Sequence, residues 1–248
     1  MRPELYQDMA QLQADHWWFV ARRNILATLI AQLSLPPQAR ILEIGCGTGG
    51  NLAMLSAFGQ VSAMEYDAHA REIAAALSGL PVAAGGLPEP VPFDNGQFDL
   101  VCLLDVLEHI ADDGAALIRA GQLLKPGGRL LVTAPAYSWL WSAHDDAHHH
   151  QRRYTARMLR RLAAAHSLHV NRLGYFNTLL FPVIAVARIW GRLTGRAADS
   201  DAAMPSPWAN ALLQRVFASE RYLAGHRLFP CGTSLAAVLS HKKEARYE

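Results

Sequence analysis

The chain has 248 residues, of which 51% are hydrophobic and 18% are charged. This balance favours a globular protein with a sizeable core and excludes an intrinsically disordered one. The sequence contains three cysteines, Cys46, Cys102 and Cys231. Such an odd and sparse set excludes a disulfide framework and favours a reducing compartment.

The formal net charge of +2 conceals a division along the chain. Residues 1–150 contain 8 basic and 16 acidic side chains, whereas residues 151–248 contain 15 basic and 5 acidic ones. The first part therefore carries a charge of −8 and the second a charge of +10. Two interpretations stay open: the C-terminal part faces an anionic partner, or its arginines are solvated on helix faces.

The N-terminal sequence and the hydropathy pattern bear on location. The first eighteen residues are polar and acidic, unlike the basic start and apolar run of a signal peptide. The longest largely apolar stretch, residues 174–187, is shorter than the about 20 residues that span a bilayer. We therefore expect a cytoplasmic protein that is either soluble or peripheral at a membrane.

Residues 1–35 form the first predicted element, a helical segment that ends at Pro36-Pro37. Strands and helices then alternate, which predicts a parallel sheet with right-handed crossovers. The predicted strands are residues 40–44, 61–65, 98–104 and 129–134, the predicted helices are residues 51–58, 68–78 and 112–124, and a turn is predicted at 125–128.

The C-terminal part predicts two more strands around an inserted segment. Thr155 is the predicted N-cap of a helix that turns Met158, Leu159 and Leu162 inward. The sixth and seventh strands are predicted at residues 168–173 and 234–239. The sixty or so residues between them are too many for a plain loop. They predict a helical insertion with a polar, mobile break at residues 196–206.

A glycine-rich turn at residues 41–50 follows the first predicted strand and leads into a helix. Glycines allow a tight turn and a close approach of the backbone to a ligand. Gly45, Gly47 and Gly50 also satisfy the G-x-G-x-x-G spacing of dinucleotide sites. Glu65 stands twenty residues after Gly45, where a cofactor ribose needs a carboxylate. The turn alone therefore leaves the cofactor class open.

Features outside the turn separate the alternatives. Glu43 precedes the first glycine by two residues, where a carboxylate suits a cationic ligand group and not a pyrophosphate. Further motifs follow in order at Leu87-Pro88 with residues 91–94, at residues 98–101, at residues 106–110 and at residues 124–130. With these motifs, residues 38–135 resemble the class I S-adenosylmethionine (SAM)-dependent methyltransferases, in the broad subgroup that includes small-molecule, quinone and glycan methyltransferases.

The resemblance implies an α/β fold. The expected architecture is a Rossmann-like, seven-stranded, mostly parallel sheet with an antiparallel last strand. Within a single domain over residues 1–248, we expect four parts. These are an N-terminal helical lid at 1–37, a SAM-binding core at 38–175, a helical insertion at 176–231, and the last strand and tail at 232–248.

The resemblance also implies which residues bind the cofactor. Those implied for the methionine end and the floor beneath methionine and ribose are Glu43, Gly45, Cys46, Gly47, Gly49, Asp105 and Val106. Those implied for the ribose hydroxyls and the adenine are Glu65, Tyr66, Gly86 and Leu87. Many relatives carry an acidic residue where Gly86 stands, so the implied contact at that position is made by the backbone alone.

Residues 139–154 form the richest polar cluster and follow the fifth predicted strand. The cluster resembles a D-x-x-x-x-H-x-R-R-Y element of the subgroup, matched by Asp145, His150, Arg152, Arg153 and Tyr154. Relatives often carry glycine where His149 stands. We place the catalytic candidates at His150, His144 and Tyr154, and the candidates for acceptor binding at Trp17, Arg22, Trp141, Asp145, Arg152 and Arg153.

Several interpretations of this cluster compete. An imidazole titrates near neutral pH, so His150 or His144 suits a general base. The guanidinium groups of Arg152 and Arg153 suit an anionic group of the acceptor, or one of them forms an Arg–Asp clamp that fixes the loop. The histidine spacing also allows a metal site, but the fold does not require one, and we predict no metal. For His109 we favour a buried hydrogen-bonding role over chemistry.

Two apolar segments frame the expected acceptor site. Trp17 and Arg22 lie in the N-terminal lid, where Arg22 could reach the SAM carboxylate and one tryptophan could instead pack in the core. Trp18 and Phe19 are the residues for which we favour packing. The insertion suits an acceptor pocket or lid first, an anionic membrane surface second and a homodimer interface third.

The sequence therefore predicts methyl transfer from SAM, with S-adenosylhomocysteine as the product. The acceptor is expected to be a small-molecule, lipid-linked or glycan-linked compound bearing an anionic group. The first alternative is a non-catalytic SAM-binding subunit of a biosynthetic complex. A nicotinamide-dependent oxidoreductase fits poorly, because no later motif suggests a hydride acceptor site. Nucleic acid is not expected as a partner, because the Asn/Asp-Pro-Pro-Tyr and Pro-Cys elements of nucleic-acid methyltransferases are absent from the sequence.

Overall fold

The computed structural model describes residues 3–194, 204–224 and 228–242, with side chains from residue 9 onward except that of Arg192. The break predicted at 196–206 therefore falls largely outside the described residues. Within them, no helix is both long and apolar enough to cross a membrane.

A seven-stranded mixed sheet organises the fold, and its strand order is β3-β2-β1-β4-β5-β7-β6. The strands are β1 (Ala39–Ile44), β2 (Gly59–Glu65), β3 (Val82–Ala84), β4 (Phe98–Leu104), β5 (Leu124–Pro135), β6 (Leu168–Phe176) and β7 (Ser234–His241). Strand β7 runs antiparallel to its neighbours β5 and β6, whereas the pairings among β1 to β5 are parallel. This arrangement confirms the predicted Rossmann-like fold class.

Helices cover both faces of the sheet. In the described residues they are α1 (Pro3–Asp15), α2 (Trp17–Ala31), α3 (Leu52–Ser56), α4 (Ala68–Ser78), α5 (Asp113–Gln122), α6 (Ala143–Ala147), α7 (Ala156–Ala165), α8 (Phe181–Thr194), α9 (Pro207–Ser219) and α10 (Arg221–Ala224). Local signals fix several of their ends. The Asp67 carboxylate accepts hydrogen bonds from His69 N and Ala70 N at the start of α4, and Gly79 ends it in the left-handed conformation.

The core has two layers because successive residues of a strand point to opposite faces. In β4, Val101 and Leu103 pack on the face that carries α5 and α7. Leu100 and Cys102 pack on the opposite face, against residues of α2 and α9. Burial on both faces explains why the central strands read as continuous apolar runs.

The structure corrects the predicted boundaries in several places. The N-terminal helical segment is two helices, and His16 caps the second by accepting a hydrogen bond from Trp18 N. Strand β3, with three residues, was too short for its pattern to predict. The turn predicted at residues 125–128 lies inside β5, where the register with β4 shifts. Met158 is 44% exposed, because the buried stripe of α7 passes through Leu159 and Ala163 instead.

The topology brings the carboxyl ends of β1, β4 and β5 to one edge of the sheet, where open α/β folds bind their ligands. Helix α2 packs against α9, α10 and α3. The predicted lid and the predicted insertion are therefore in contact through α2 and α9, and Arg22 of α2 reaches residues that follow β4 and end β5.

Candidate cofactor and acceptor site

The glycine loop after β1 joins the ends of two strands. Gly45, Gly47 and Gly49 adopt positive φ angles of 69°, 55° and 86°, which glycine tolerates best. The backbone N–H of Gly45 donates to Met64 O at 2.8 Å. A Cβ atom at Gly45 would lie 2.8 Å from Cγ2 of Val106, so only glycine lets the two loops approach this closely.

Glu65 ends β2 with its carboxylate turned to the glycine loop. Its Oε2 accepts from Gly47 N at 2.9 Å, and its Oε1 accepts from Asp67 N at 3.0 Å. These bonds fix the carboxylate while each oxygen keeps a further lone pair for a ligand. The neighbouring ring of Tyr66 is 78% exposed, and it lies 3.3 Å from where a Cβ of Gly86 would stand. A larger residue at 86 would therefore crowd this ring.

Glu43 carries an unpaired oxygen in the floor of the site. Its side chain is buried, and its Oε1 accepts from Asn51 Nδ2 at 2.7 Å. Its Oε2 has no hydrogen-bond partner in the described part of the chain. Burial raises the pKa of Glu43 to about 7, against the opposing effects of the Asn51 hydrogen bond and the Arg22 charge. A buried acceptor without a partner is costly, so this position suits a ligand that brings a cation.

Arg22 is buried between α2 and the sheet edge. Its guanidinium lies 2.7 Å from Asp105 Oδ2, donates to Thr133 Oγ1 at 3.0 Å, and approaches Asn51 Oδ1 at 3.4 Å. Its Nε has no partner among the described residues. The ring of Trp18 covers it at 5.3 Å. Asn51 therefore bonds both Arg22 and Glu43. A positively charged hydrogen-bond donor and a carboxylate acceptor thus lie next to each other in one site.

The two neighbouring tryptophans take different positions. Trp17 lies in the contact between α2 and α9, where its ring meets Phe217 edge-on at 5.9 Å. Its backbone N–H donates to Asn210 Oδ1 at 2.8 Å. Trp18, for which packing was favoured, is the tryptophan that touches Arg22.

Asp145 organises the loop that follows β5. Its carboxylate is fully buried and receives both Nε and NH2 of Arg153 at 2.8 and 2.7 Å. It also bonds Nδ1 of His150 at 2.8 Å and accepts from Ser142 N at 2.8 Å. Burial alone would raise the pKa of Asp145, but the bonds from His150 and Arg153 hold it well below its ordinary value. Arg153 thus forms an Arg–Asp clamp within this loop.

Arg152 and Tyr154 meet on a second carboxylate. Arg152 NH1 lies 2.7 Å from Asp113 Oδ2, and the Tyr154 hydroxyl donates to the same oxygen at 2.8 Å. Tyr154 is buried in the core, and burial together with Asp113 raises its pKa. Arg152 remains half-exposed. The structure therefore surrounds Tyr154 with protein and leaves Arg152 nearer to solvent.

Four imidazoles cluster beside this loop. The His150 ring lies 4.7 Å from the ring of His109 and 6.0 Å from those of His144 and His148. His109 is exposed, so the buried role predicted for it is wrong, although desolvation of its ring and then the neighbouring His150 lower its pKa. Glu108 precedes His109 in the turn Leu107–His109 and is fully buried. Both of its carboxylate oxygens lack a partner in the described chain, and burial raises its pKa.

Aromatic side chains line the same edge beyond the histidines. Tyr137 stacks on Tyr175 at 5.0 Å and on Phe181 at 5.8 Å, and Trp139 lies 5.9 Å from Tyr137. Trp141 donates from Nε1 to Asp146 at 2.9 Å. Tyr137, Trp139 and Glu108 are not among the site residues predicted from the sequence. The one available signal was their position directly after β5 and β4.

The strand order, the glycine loop and the acidic ends of β1 and β2 together define a class I SAM-dependent methyltransferase fold. A family model described as a methyltransferase domain matches residues 18–172. The chain belongs to this family of methyltransferase domains, whose members use SAM.

Two curated relatives carry the names of different methyltransferases. The chain is 33% identical over 139 residues to a trans-aconitate 2-methyltransferase of Deinococcus radiodurans, covering 54% of this chain and 50% of the relative. It is 32% identical over 136 residues to a ubiquinone biosynthesis O-methyltransferase of Xanthomonas axonopodis pv. citri, covering 48% and 56%. The chain thus spans about half the length of these two relatives.

A solved structure supports the fold with its cofactor product bound. The geranyl diphosphate C-methyltransferase of Streptomyces coelicolor A3(2), solved with Mg²⁺, geranyl diphosphate and S-adenosyl-L-homocysteine, aligns with a TM-score of 0.56. The alignment covers 86% of this chain and 77% of that one at 14% identity. At this identity the likeness concerns the fold.

The Asp145 cluster predicts a large loss of stability on substitution. Asp145→Asn removes the charge that neutralises the buried Arg153 guanidinium, so we expect the free energy of unfolding to fall by about 3–5 kcal/mol. Asp146→Asn is the matched control, because Asp146 is exposed and one residue away. Urea denaturation of both variants measures the difference. Similar losses in the two variants would contradict the structural role of Asp145.

Proposed function

We propose that the chain transfers the methyl group of SAM to a small-molecule or lipid-linked acceptor. The observation that carries this proposal is the buried, unpaired Oε2 of Glu43 beside the glycine loop. When bound, SAM supplies a methyl group activated by its sulfonium. Displacement requires a nucleophile held in line with that group, and positioning contributes much of the rate.

The proposed cofactor site uses the residues that the family resemblance implies. Glu43 Oε2 receives the amino group of the methionine moiety, and Arg22 Nε donates toward its carboxylate. Glu65 holds the ribose hydroxyls, and Tyr66 packs on the adenine. The remaining contacts are assigned to Gly45, Cys46, Gly47, Gly49, Gly86, Leu87, Asp105 and Val106. The unpaired polar atoms of Glu43 and Arg22 support this assignment. The negative Glu43 complements the ammonium group of the methionine moiety, and the positive Arg22 complements its carboxylate.

The proposed acceptor site lies between the histidine cluster and the aromatic side chains after β5. A general base contributes about 10²–10⁴-fold when the acceptor is a hydroxyl, and His150 or His144 is proposed for it. Arg152 is proposed for an anionic group of the acceptor, because its side chain is 27% exposed although it is paired with Asp113, whereas Arg153 is buried and held by Asp145 through two nitrogens. Trp141 supplies apolar surface for the rest of the acceptor, together with the Tyr137 group, which comprises Tyr137, Trp139, Tyr175 and Phe181.

The pKa of Glu43 predicts how cofactor binding depends on pH. An ammonium group pairs with the ionised carboxylate, and a pKa of about 7 leaves Glu43 mostly protonated at pH 6 and mostly ionised at pH 8. We therefore expect the affinity for S-adenosylhomocysteine to be about tenfold lower at pH 6 than at pH 8. Calorimetric titration at the two pH values measures this ratio.

Glu43→Gln is expected to remove this pH dependence and to weaken binding at pH 8 by about 10–100-fold, the strength of one charged hydrogen bond. Glu72→Gln is the control, because Glu72 is exposed on α4. A Glu43→Gln variant with the pH dependence of the unmodified chain would exclude the proposed pairing.

The base assignment is tested on an acceptor found by screening phosphorylated, glycosylated and polyprenyl compounds. Alanine at both His144 and His150 is expected to lower turnover by about 10²–10⁴-fold while the affinity for S-adenosylhomocysteine is retained. His149→Asn is the control, because His149 is exposed and Asn tolerates its positive φ. Undiminished turnover in the double variant would remove both histidines as bases. Cofactor binding without methylation of any acceptor would favour the non-catalytic alternative.

We also propose peripheral contact with an anionic membrane, through which a lipid-linked acceptor would be reached. Helix α8 exposes Val183, Val186, Trp190 and Leu193, at 66–78% of their surfaces. Residues 151–248 carry the excess of positive charge, and apolar side chains next to basic ones suit a membrane surface. Phe181, at the start of α8, belongs to the Tyr137 group, so this helix also borders the acceptor site.

Co-sedimentation with phosphatidylglycerol-containing vesicles tests this contact. We expect the unmodified chain to bind these vesicles more strongly than phosphatidylcholine vesicles, and an α8 double variant, Val186→Asp with Trp190→Asp, to bind at least about tenfold less. Leu77→Asp, exposed on α4, is the control. Equal binding by the α8 variant and the unmodified chain contradicts the contact. A dimer that this variant dissociates would assign the face to a homodimer instead.

A further inference from the structure

Glu108 is a buried carboxylate for which the cofactor site gives no use. Its side chain is fully buried, yet neither oxygen has a hydrogen-bond partner in the described residues. A buried carboxylate that lacks hydrogen bonds and a charged partner is strongly unfavourable. The charges of Arg22 and Arg153 act on it, but each of these arginines is bonded to another carboxylate. A further cation next to Glu108 would offset the cost of burying its carboxylate.

Two imidazoles face the same point. One donor atom from each of Glu108, His109 and His150 lies within 4.8 Å of the others. A tetrahedral ion with ligand bonds of about 2.0–2.2 Å needs its ligand atoms about 3.4 Å apart. Each pair of ligand atoms would therefore have to approach by about 1.4 Å at most. Side-chain rotation supplies such a movement. The three groups come from the turn after β4 and the loop after β5, the two segments that frame the acceptor site.

Groups behind the two imidazoles orient them as metal ligands. Nδ1 of His150 bonds the Asp145 carboxylate, which leaves Nε2 for the cluster. The backbone of His148 lies beside the ring of His109. Metal-binding histidines usually hold their second nitrogen on a carboxylate or a backbone carbonyl in this way. Asp145 is itself fixed by Arg153, so the direction of His150 is set by the loop clamp.

We propose that Glu108, His109 and His150 bind one divalent transition-metal ion. Two imidazoles and one carboxylate are the ligand set of several catalytic zinc sites and of non-haem iron sites. Three protein ligands leave at least one position for an exogenous oxygen. The chemistry of the ligand set therefore selects Zn²⁺ or a neighbouring transition metal over Ca²⁺, which prefers oxygen ligands.

The role of this metal site rests on the proposed methyl transfer, and the site narrows the acceptor to a compound with a hydroxyl group. A hydroxyl in the open position loses its proton more readily, as metal-bound water does. The O–H bond of the acceptor breaks, its oxygen bonds the methyl carbon, and the carbon–sulfur bond breaks with its electron pair kept by sulfur. The proton passes to His144 and then to solvent. His150 is then a ligand, and His144 is the base.

A different site for the same ion must be distinguished. His144 and His148 are one helical turn apart, and their ring centroids are 4.1 Å apart. Such an i, i+4 pair binds zinc in other proteins. This pair does not include Glu108, so substitutions separate the two sites.

The test is titration of the full chain with Zn²⁺, after treatment with a chelator and dialysis, against a weak competing chelator. We expect one Zn²⁺ per chain, and a loss of affinity of more than about 10–100-fold in Glu108→Gln, His109→Ala and His150→Ala, since even indirect partners of a ligand contribute that much. His149→Asn is the control and should bind Zn²⁺ normally. Parallel titration with S-adenosylhomocysteine checks that each variant is folded.

Loss of Zn²⁺ binding in the three variants, with cofactor binding retained, establishes the site. Normal Zn²⁺ binding in Glu108→Gln and His109→Ala overturns it, and loss confined to a His144→Ala, His148→Ala double variant assigns the ion to that pair. Failure of the unmodified chain to bind Zn²⁺ also overturns it. A chain that binds Zn²⁺ but no S-adenosylhomocysteine would keep the metal site and refute the proposed function.

Discussion

The buried guanidinium of Arg22 joins the parts of the site. It bonds Asp105 after β4, Thr133 near the end of β5 and Asn51 beside the glycine loop. Because Arg22 belongs to α2, these bonds fix the N-terminal helices over the sheet edge. Asn51 carries the network on to Glu43. A buried arginine is tolerated only with such partners. The position of α2, the unpaired atoms Glu43 Oε2 and Arg22 Nε, and the turn after β4 therefore depend on one another.

Much of the fold could be predicted because local and long-range signals agree. The apolar run of β4 is buried on both faces, and Asp67 and Gly79 mark the ends of α4. The prediction was wrong where tertiary structure decides. His16 divides the N-terminal helical segment, and the chain after Leu124 stays in the sheet through a register shift. Pattern alone cannot place the register shift, since it depends on the neighbouring strand.

The two halves of the site differ in how far the sequence could predict them. Loop residues near Glu43 and Glu65 follow strands at fixed spacings, so their convergence follows from the topology. On the acceptor side, partners are distant in sequence: Arg152 shares Asp113 with Tyr154. The unpaired state of Glu108 became visible only with the fold, because its burial depends on residues that follow β5.

We propose above all that the glycine loop, Glu43 and Arg22 form a SAM site and not a dinucleotide site. Calorimetric titration of the full chain with S-adenosylhomocysteine, with NAD in a parallel experiment, tests it most directly. We expect saturable binding of S-adenosylhomocysteine at one site per chain and no heat of binding from NAD. Binding of NAD alone would contradict the proposed SAM site, because the buried Glu43 carboxylate would then face a pyrophosphate.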